Sequence, residues 1–247
     1  MKNKLKTKIS KTLLMLSTTA LLASTSSAYA ALSSTVTATS DYMFNGVSQT
    51  QNNPALQASL DYAANAGWYL GAFASNVDFG SGDDTWLELD AYAGHYFQLT
   101  DKFSLDAGLA YYTYHGDDAS SDYNYPELYT KFGYDSSIGH SELNFWYTWD
   151  YFGYGGSHYI GMIAHTFTLA EGHDIRFSFD RSTSGDKDKW LWGDDRAYNH
   201  YRIAYMTNVK SFDLTVSAED TNMDLNVSGK NVSDPRFVIS VARTFNF

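Results

Sequence analysis

The side chains able to do chemistry in this sequence recur at even spacings within extended-looking runs. Glu88 and Asp90, Glu127 and Lys131, Arg176 and Asp180, and Asp213 and Glu219 are each an even number of residues apart. Asp61, Asp106, Glu142 and Arg202 stand on the polar parity of runs of their own. Successive side chains of a strand point to opposite faces, so even spacing gathers these groups on one side of a sheet. Nine carboxylates then face three bases. Around an open path they would create a negative potential favouring cations and neutral solutes over anions. With Lys131, Arg176 and Arg202 tied into salt bridges, the same groups would fill the interior instead.

Catalysis has weaker support. The seven histidines, His95, His115, His140, His158, His165, His173 and His200, are framed by no Gly-x-Ser-x-Gly or His-Glu-x-x-His pattern. Ser157 and His158 are adjacent near Asp150, but neighbours on a strand face opposite ways and would not hydrogen-bond. The chain is therefore not read as an enzyme. The acidic clusters "GDDASSD", with Asp117, Asp118 and Asp122, "GDKD" and "GDD" suit an oxygen-preferring cation such as calcium, yet none has EF-hand spacing, and solvated loop charge is the simpler reading. Trp190 and Trp192 could meet sugar rings or lipopolysaccharide, or pack a loop lid. Without cysteine the chain can build neither disulfides nor thiolate metal sites, and no cofactor is called for.

The elements that must position these groups are runs of alternating polarity, each about ten residues long and ended by a turn. In "ALQASLDYAAN" Leu56, Ala58, Leu60 and Tyr62 oppose Gln57, Ser59 and Asp61; in "SELNFWYTWD" Leu143, Phe145, Tyr147 and Trp149 oppose Glu142 and Asn144. Twelve such runs are expected, at 35–44, 55–65, 68–76, 85–97, 103–114, 125–134, 141–150, 158–168, 174–181, 198–208, 212–220 and 236–247. Long connectors such as "NGVSQTQNNP" and "TSGDKDKWLWGDDRA" alternate throughout with short ones such as "AG" and "VKS". An even strand count, long outer loops and short turns at the other end are the marks of an outer-membrane barrel. Aromatic residues are 17% of the chain, as a sheet with aromatic girdles facing lipid interfaces would require. About eight strands leave a filled interior and sixteen an aqueous channel; twelve lie between, and inward Tyr92, Tyr129 and Trp146 would narrow the path.

Five lysines, a short apolar run and "AYA" at 28–30 mark residues 1–30 as a secretory signal, leaving a single barrel domain at 31–247. The mature chain holds 28 acidic against 12 basic residues, formally −16, a surface that repels nucleic acid. No stretch reaches 18 consecutive apolar residues, so helical membrane spans are not expected. The last run, "FVISVARTFNF", puts Phe237, Ile239, Val241, Phe245 and Phe247 on one parity, with Arg243 among them. Such an ending looks like the signal read by the outer-membrane assembly machinery. Arg243 is tolerable on a lipid face near an interface, where its stem can snorkel.

Ser40, Asp41, Tyr42, Phe44, Gly46, Ser48, Gln49 and Thr50, then Asn53 to Gln57, and later Asn76, Val77, Asp78 and Phe79 make the sequence resemble the TorF family of porins. The likeness spans the mature chain, with its specific motifs in the first fifty mature residues. The chain carries Asn45 where the resemblance leads one to expect arginine between Phe44 and Gly46. The resemblance implies an outer-membrane barrel.

Together these features predict an all-β, up-and-down antiparallel barrel of twelve strands in a bacterial outer membrane. It would meet membrane lipid and lipopolysaccharide outside and pass small solutes passively inside, preferring cations or neutral molecules. The alternative is an occluded barrel acting as a structural or loop-binding surface protein.

Overall fold

The structure, a computed structural model, describes residues 31–247, so the leader expected at 1–30 lies outside the described residues. In chain order β1 (Ala31–Thr39) is followed by a small hairpin of β2 (Met43–Phe44) and β3 (Val47–Ser48). Then come β4 (Ala55–Ala63), β5 (Trp68–Asn76), β6 (Leu87–Gln98), β7 (Phe103–His115), β8 (Tyr125–Ser136) and β9 (Gly139–Thr148). β10 (His158–Ala170), β11 (His173–Ser184), β12 (Ala197–Val209) and β13 (Phe212–Thr221) follow. A second small hairpin, β14 (Asn226–Val227) and β15 (Lys230–Asn231), precedes β16 (Arg236–Asn246).

The twelve long strands close into one barrel in the order β1-β16-β13-β12-β11-β10-β9-β8-β7-β6-β5-β4, every neighbouring pair antiparallel. Closure leaves no unpaired edge. The seam runs between β1 and β16, in register from Ser33 opposite Asn246 to Thr39 opposite Ser240, with the hydroxyls of Thr35 and Thr244 hydrogen-bonded at 2.8 Å.

All twelve expected strands are present with ends shifted, β1 beginning at Ala31, β4 ending at Ala63 and β11 reaching Ser184, and two early ends have a visible cause. The run at 35–44 stops at Thr39, because the Thr39 hydroxyl donates to the Asp41 carbonyl at 2.8 Å and the chain then turns inward. Tyr42 and Phe44 keep the alternation of a strand, but they belong to the loop and its hairpin. The run at 141–150 ends at Thr148, where the Asp150 carboxylate accepts the Gly155 N–H at 2.7 Å and closes a turn instead.

The outward parity is apolar. Leu56, Leu60, Leu70, Ile163, Ile203 and Ile239 all have more than half their surface exposed, a belt far larger than a soluble monomer carries. Arg243 lies on that face between two rings, 5.5 Å from Phe212 and 4.9 Å from Phe245, which cover its stem. The inward parity carries serine, threonine, tyrosine and charge. No described helix is long and apolar enough to cross a membrane, which says nothing against crossing by strands.

Candidate functional site

The interior is built from alternate residues of every long strand, and its charges fall into two unlike halves. On β9 and β11 to β13 acids meet bases. Arg176 clasps Glu142 through both guanidinium nitrogens, the Nη2 to Oε2 contact being 3.1 Å, and Asn144 donates to the same carboxylate at 2.9 Å. His200 is held between two acids, with Nδ1 2.7 Å from Asp180 and Nε2 3.3 Å from Glu219. Glu219 also accepts from Arg202 Nε at 2.8 Å and from the Ser217 hydroxyl at 2.7 Å. Such dense pairing is what buried charge requires.

On β4 and β6 to β8 the acids meet phenols. The Tyr69 hydroxyl donates to Asp106 at 2.6 Å and lies 2.5 Å from the Tyr129 hydroxyl. Tyr92 donates to Asp61, which also accepts from Ser59 at 2.8 Å. Tyr42 donates to Glu88 at 2.8 Å and Tyr112 to Glu127 at 2.9 Å. Neutral donors satisfy hydrogen-bonding demand without cancelling charge, and they leave one oxygen each of Asp90, Asp106 and Glu127 buried without a partner among the described residues. Lys131 is the base on this side, its ammonium 4.7 Å from the Tyr129 ring and 5.8 Å from Trp146. Asp213, also on the inward parity, lies beside the short turn before β13 and accepts from Asn208 at 2.8 Å, at the rim rather than in the middle.

Across this interior runs the first outer loop, the stretch that carries the family-like motif. Asp41, Tyr42, Met43 and the run from Ser48 to Gln51 are buried. Asn45 and Gly46 have φ of 49° and 81°, the pair of positive values that a type I′ hairpin turn needs, and they join β2 to β3. The turn points at the far wall: Asn45 Nδ2 donates to Asp180 at 3.1 Å, and a Cβ on Gly46 would collide with Thr221 and His200. The near side of the loop is fixed on β6 by the Tyr42 to Glu88 bond, and Phe44 meets Tyr112 of β7 edge-on at 6.4 Å. Between β6 and β11 stand β7 to β10 on one side and six strands on the other, so the loop spans nearly the full width. Its base is locked by Asp41, which accepts from Ser48 at 2.6 Å, Thr50 at 3.0 Å and Arg236 at 2.7 Å. A cavity of about 170 Å³ lies against Met43, Phe44 and Asn45 of this loop and is also walled by Glu127, Arg176 and Glu219.

Above the loop the outer mouth is filled with rings. Tyr151, Trp192, Tyr198 and Met223 are buried together, with Phe79, Tyr123, Phe152 and Trp190 packed on them. His158, the neighbour of Ser157, points inward: its ring lies 4.0 Å from Tyr151, and neither ring nitrogen has a partner among the described residues. Two of the loop carboxylates, Asp117 and Asp186, are engaged in turns. Asp117 takes the N–H groups of Ala119 and Ser120 and the Ser120 hydroxyl, each at 3.0 Å, and Asp186 takes the Asp188 N–H at 3.0 Å. Asp83 accepts from the Tyr123 hydroxyl at 2.6 Å and the Thr85 N–H at 2.9 Å. Burial acts to raise the Asp83 pKa, but the hydrogen bonds from Tyr123 and Thr85 outweigh it and hold the carboxyl below its ordinary value.

Sequence reading missed His200 as the centre of the paired cluster, the tyrosines as partners of the acids, and buried Asp174, which accepts from Thr168 at 2.7 Å near the short-turn end. The crossing hairpin had a visible signal in Asn45-Gly46, the pair most diagnostic of a two-residue hairpin.

A closed sheet of twelve antiparallel strands, apolar outside and lined by charge and tyrosine inside, has the architecture of outer-membrane barrels. A family described as a bacterial protein of unknown function (Gcw_chp) matches residues 23–245, and the chain belongs to that family. No curated protein matches the sequence. Among solved structures the chain is similar to the NanC porin, with a TM-score of 0.58 at 9% identity, covering 87% of this chain and 100% of that one. It is likewise similar to the KdgM porin in complex with disordered oligogalacturonate, with a TM-score of 0.55 at 9% identity, covering 87% and 99%. A third is the COG4313 outer membrane channel from Pseudomonas putida F1, at 0.52 and 11%, covering 88% and 95%. At such identities the likeness is one of fold.

Proposed function

We propose that the chain is an outer-membrane channel for passive passage of small solutes, favouring cations and neutral molecules over anions. The carrying observation is the uneven interior: acids are paired with bases on β9 and β11 to β13, while Asp61, Glu88, Asp106 and Glu127 are answered chiefly by tyrosine hydroxyls. A wall on which Asp61, Glu88, Asp90, Asp106 and Glu127 face the single base Lys131 lowers the potential along any path beside it. The apolar belt supports a membrane location, and the motif in the crossing loop supports a place among TorF-like porins. The KdgM porin was solved with an acidic saccharide, and a negative interior argues against an anionic solute of that kind here.

Insertion into planar bilayers under a salt gradient tests the proposal. Discrete conductance with a reversal potential favouring cations is expected, and Asp90→Asn with Glu127→Gln should shift it toward zero. Anion selectivity would overturn it. A second reading, a barrel closed at rest, is favoured by the loop that crosses from β6 to β11. Inserted but silent membranes would support that reading over the first.

A further inference from the structure

The outer mouth contains a cavity of about 260 Å³, to which each of the six long loops contributes at least one side chain. Its floor is the β2–β3 hairpin, and Phe44 lines this cavity above and the interior cavity below. Its volume is near the lower end of the roughly 300–1,000 Å³ of small-molecule sites, enough for one compact molecule and not for a chain.

The walls are rings, with Phe152 stacked on Trp190 at 11° and other pairs set steeply. Trp190 and Trp192 are 6.3 Å apart with planes at 82°, Phe79 and Phe152 are 6.1 Å apart at 73°, and Phe79 and Tyr123 are 5.8 Å apart at 75°. A cavity lined by this many rings offers π-surface to a cation without hydrogen-bond donors of its own. Two carboxylates, Asp78 and Asp83, line the same cavity. Asp83 is fixed by Tyr123 and Thr85, and the lowering of its pKa keeps it charged at neutral pH. Trp190 is also on the lining, and its indole N–H has no acceptor among the described residues. Rings and carboxylates call for a positive group, and the stranded donor calls for an oxygen on the same molecule.

We propose that the six outer loops form an aromatic cage for a small quaternary ammonium compound bearing a hydroxyl, choline being the simplest example. The methylated nitrogen would sit among the rings near Asp83, and the hydroxyl oxygen would accept from Trp190. A phosphocholine headgroup carries the same nitrogen, but its phosphate would bring negative charge into a small cavity that already holds Asp78 and Asp83, so the free solute is the occupant. Sugar hydroxyls can donate to the carboxylates but bring no positive charge to them, so glucose serves as the uncharged competitor.

The test uses the folded full-length barrel in a polyoxyethylene detergent, which offers neither ammonium nor sugar. Tryptophan emission and calorimetry follow titration with choline, tetramethylammonium, phosphocholine, glucose and 3,3-dimethylbutan-1-ol, the uncharged carbon analogue of choline. Saturable binding of choline is expected, with the carbon analogue at least about tenfold weaker, the scale of a desolvated cation–π contact. Asp83→Asn should weaken choline without affecting the carbon analogue. Asp78→Asn should act the same way if the first variant disturbs its loop. Trp190→Phe keeps a ring and loses the donor, so it should weaken choline about fivefold, the worth of one hydrogen bond, and spare tetramethylammonium. No saturable choline signal overturns the proposal, as does equal binding of the carbon analogue, tighter binding of glucose, or phosphocholine binding as tightly as choline. The measurement needs no conduction, so its failure would leave the channel reading standing, and a silent pore would leave the cage standing.

Discussion

Arg176 and Glu142, with side chains 1% and 8% exposed, make each other tolerable inside the barrel. Removing one partner strands the other charge, so Arg176→Met alone should cost about 3–5 kcal/mol, whereas Arg176→Met with Glu142→Leu should recover most of that loss. Urea unfolding in detergent, followed by the heat-dependent gel mobility of folded barrels, would measure both. At the mouth, the Asp83 to Tyr123 clamp has an acid dependence with a definite sign. Its folded pKa lies below the ordinary 3.8, so its contribution is complete above that value and disappears as pH falls through the lower folded value. Tryptophan emission from the lid should therefore be flat at neutral pH and change only in strong acid, and Tyr123→Phe should abolish the step. The inward charges were legible in the sequence because parity is local. Their partners were not: Tyr69 answers Asp106 from 37 positions away and Tyr42 answers Glu88 from 46, distances that only the closed sheet makes short.

Among the elements, the β2–β3 hairpin decides what the interior can do. The chain has no cysteine, so a disulfide between Asn45→Cys and Asp180→Cys would be the only one in the protein. Oxidation should abolish conductance and reduction restore it if passage requires the hairpin to leave the wall. An unchanged current in the oxidised protein would mean that solutes run beside the hairpin, not through the space it occupies. The twelve long strands were readable because each repeats a period of two over about ten residues and stops at a turn. Asn45-Gly46 marks the hairpin's turn, but its start was masked by the same rule, since Tyr42 and Phe44 prolong the beat of β1 after the chain has left the sheet. What ends the strand is a web of side-chain bonds to Asp41, one of them from Arg236, 195 positions away.

For the whole molecule, the outward belt and the inward charge are one design seen from two sides. A lysine at Val241, whose side chain points outward in the middle of β16, should cost about 2–4 kcal/mol in a lipid bilayer and much less in a short-chain detergent. Arg243, two residues on and screened by Phe212 and Phe245, should be replaceable by leucine with little change. The seam has its own kinetic meaning. Thr35 must find Thr244 across 209 positions, and no shorter-range contact can substitute for that ladder. Bringing such distant segments together costs entropy before any bond repays it, which makes this the slow event of maturation. Until it happens the newly made chain exposes two sticky borders, β1 and β16, each able to recruit a stranger. Holding those borders apart from other chains is then the chief service a helper protein could render.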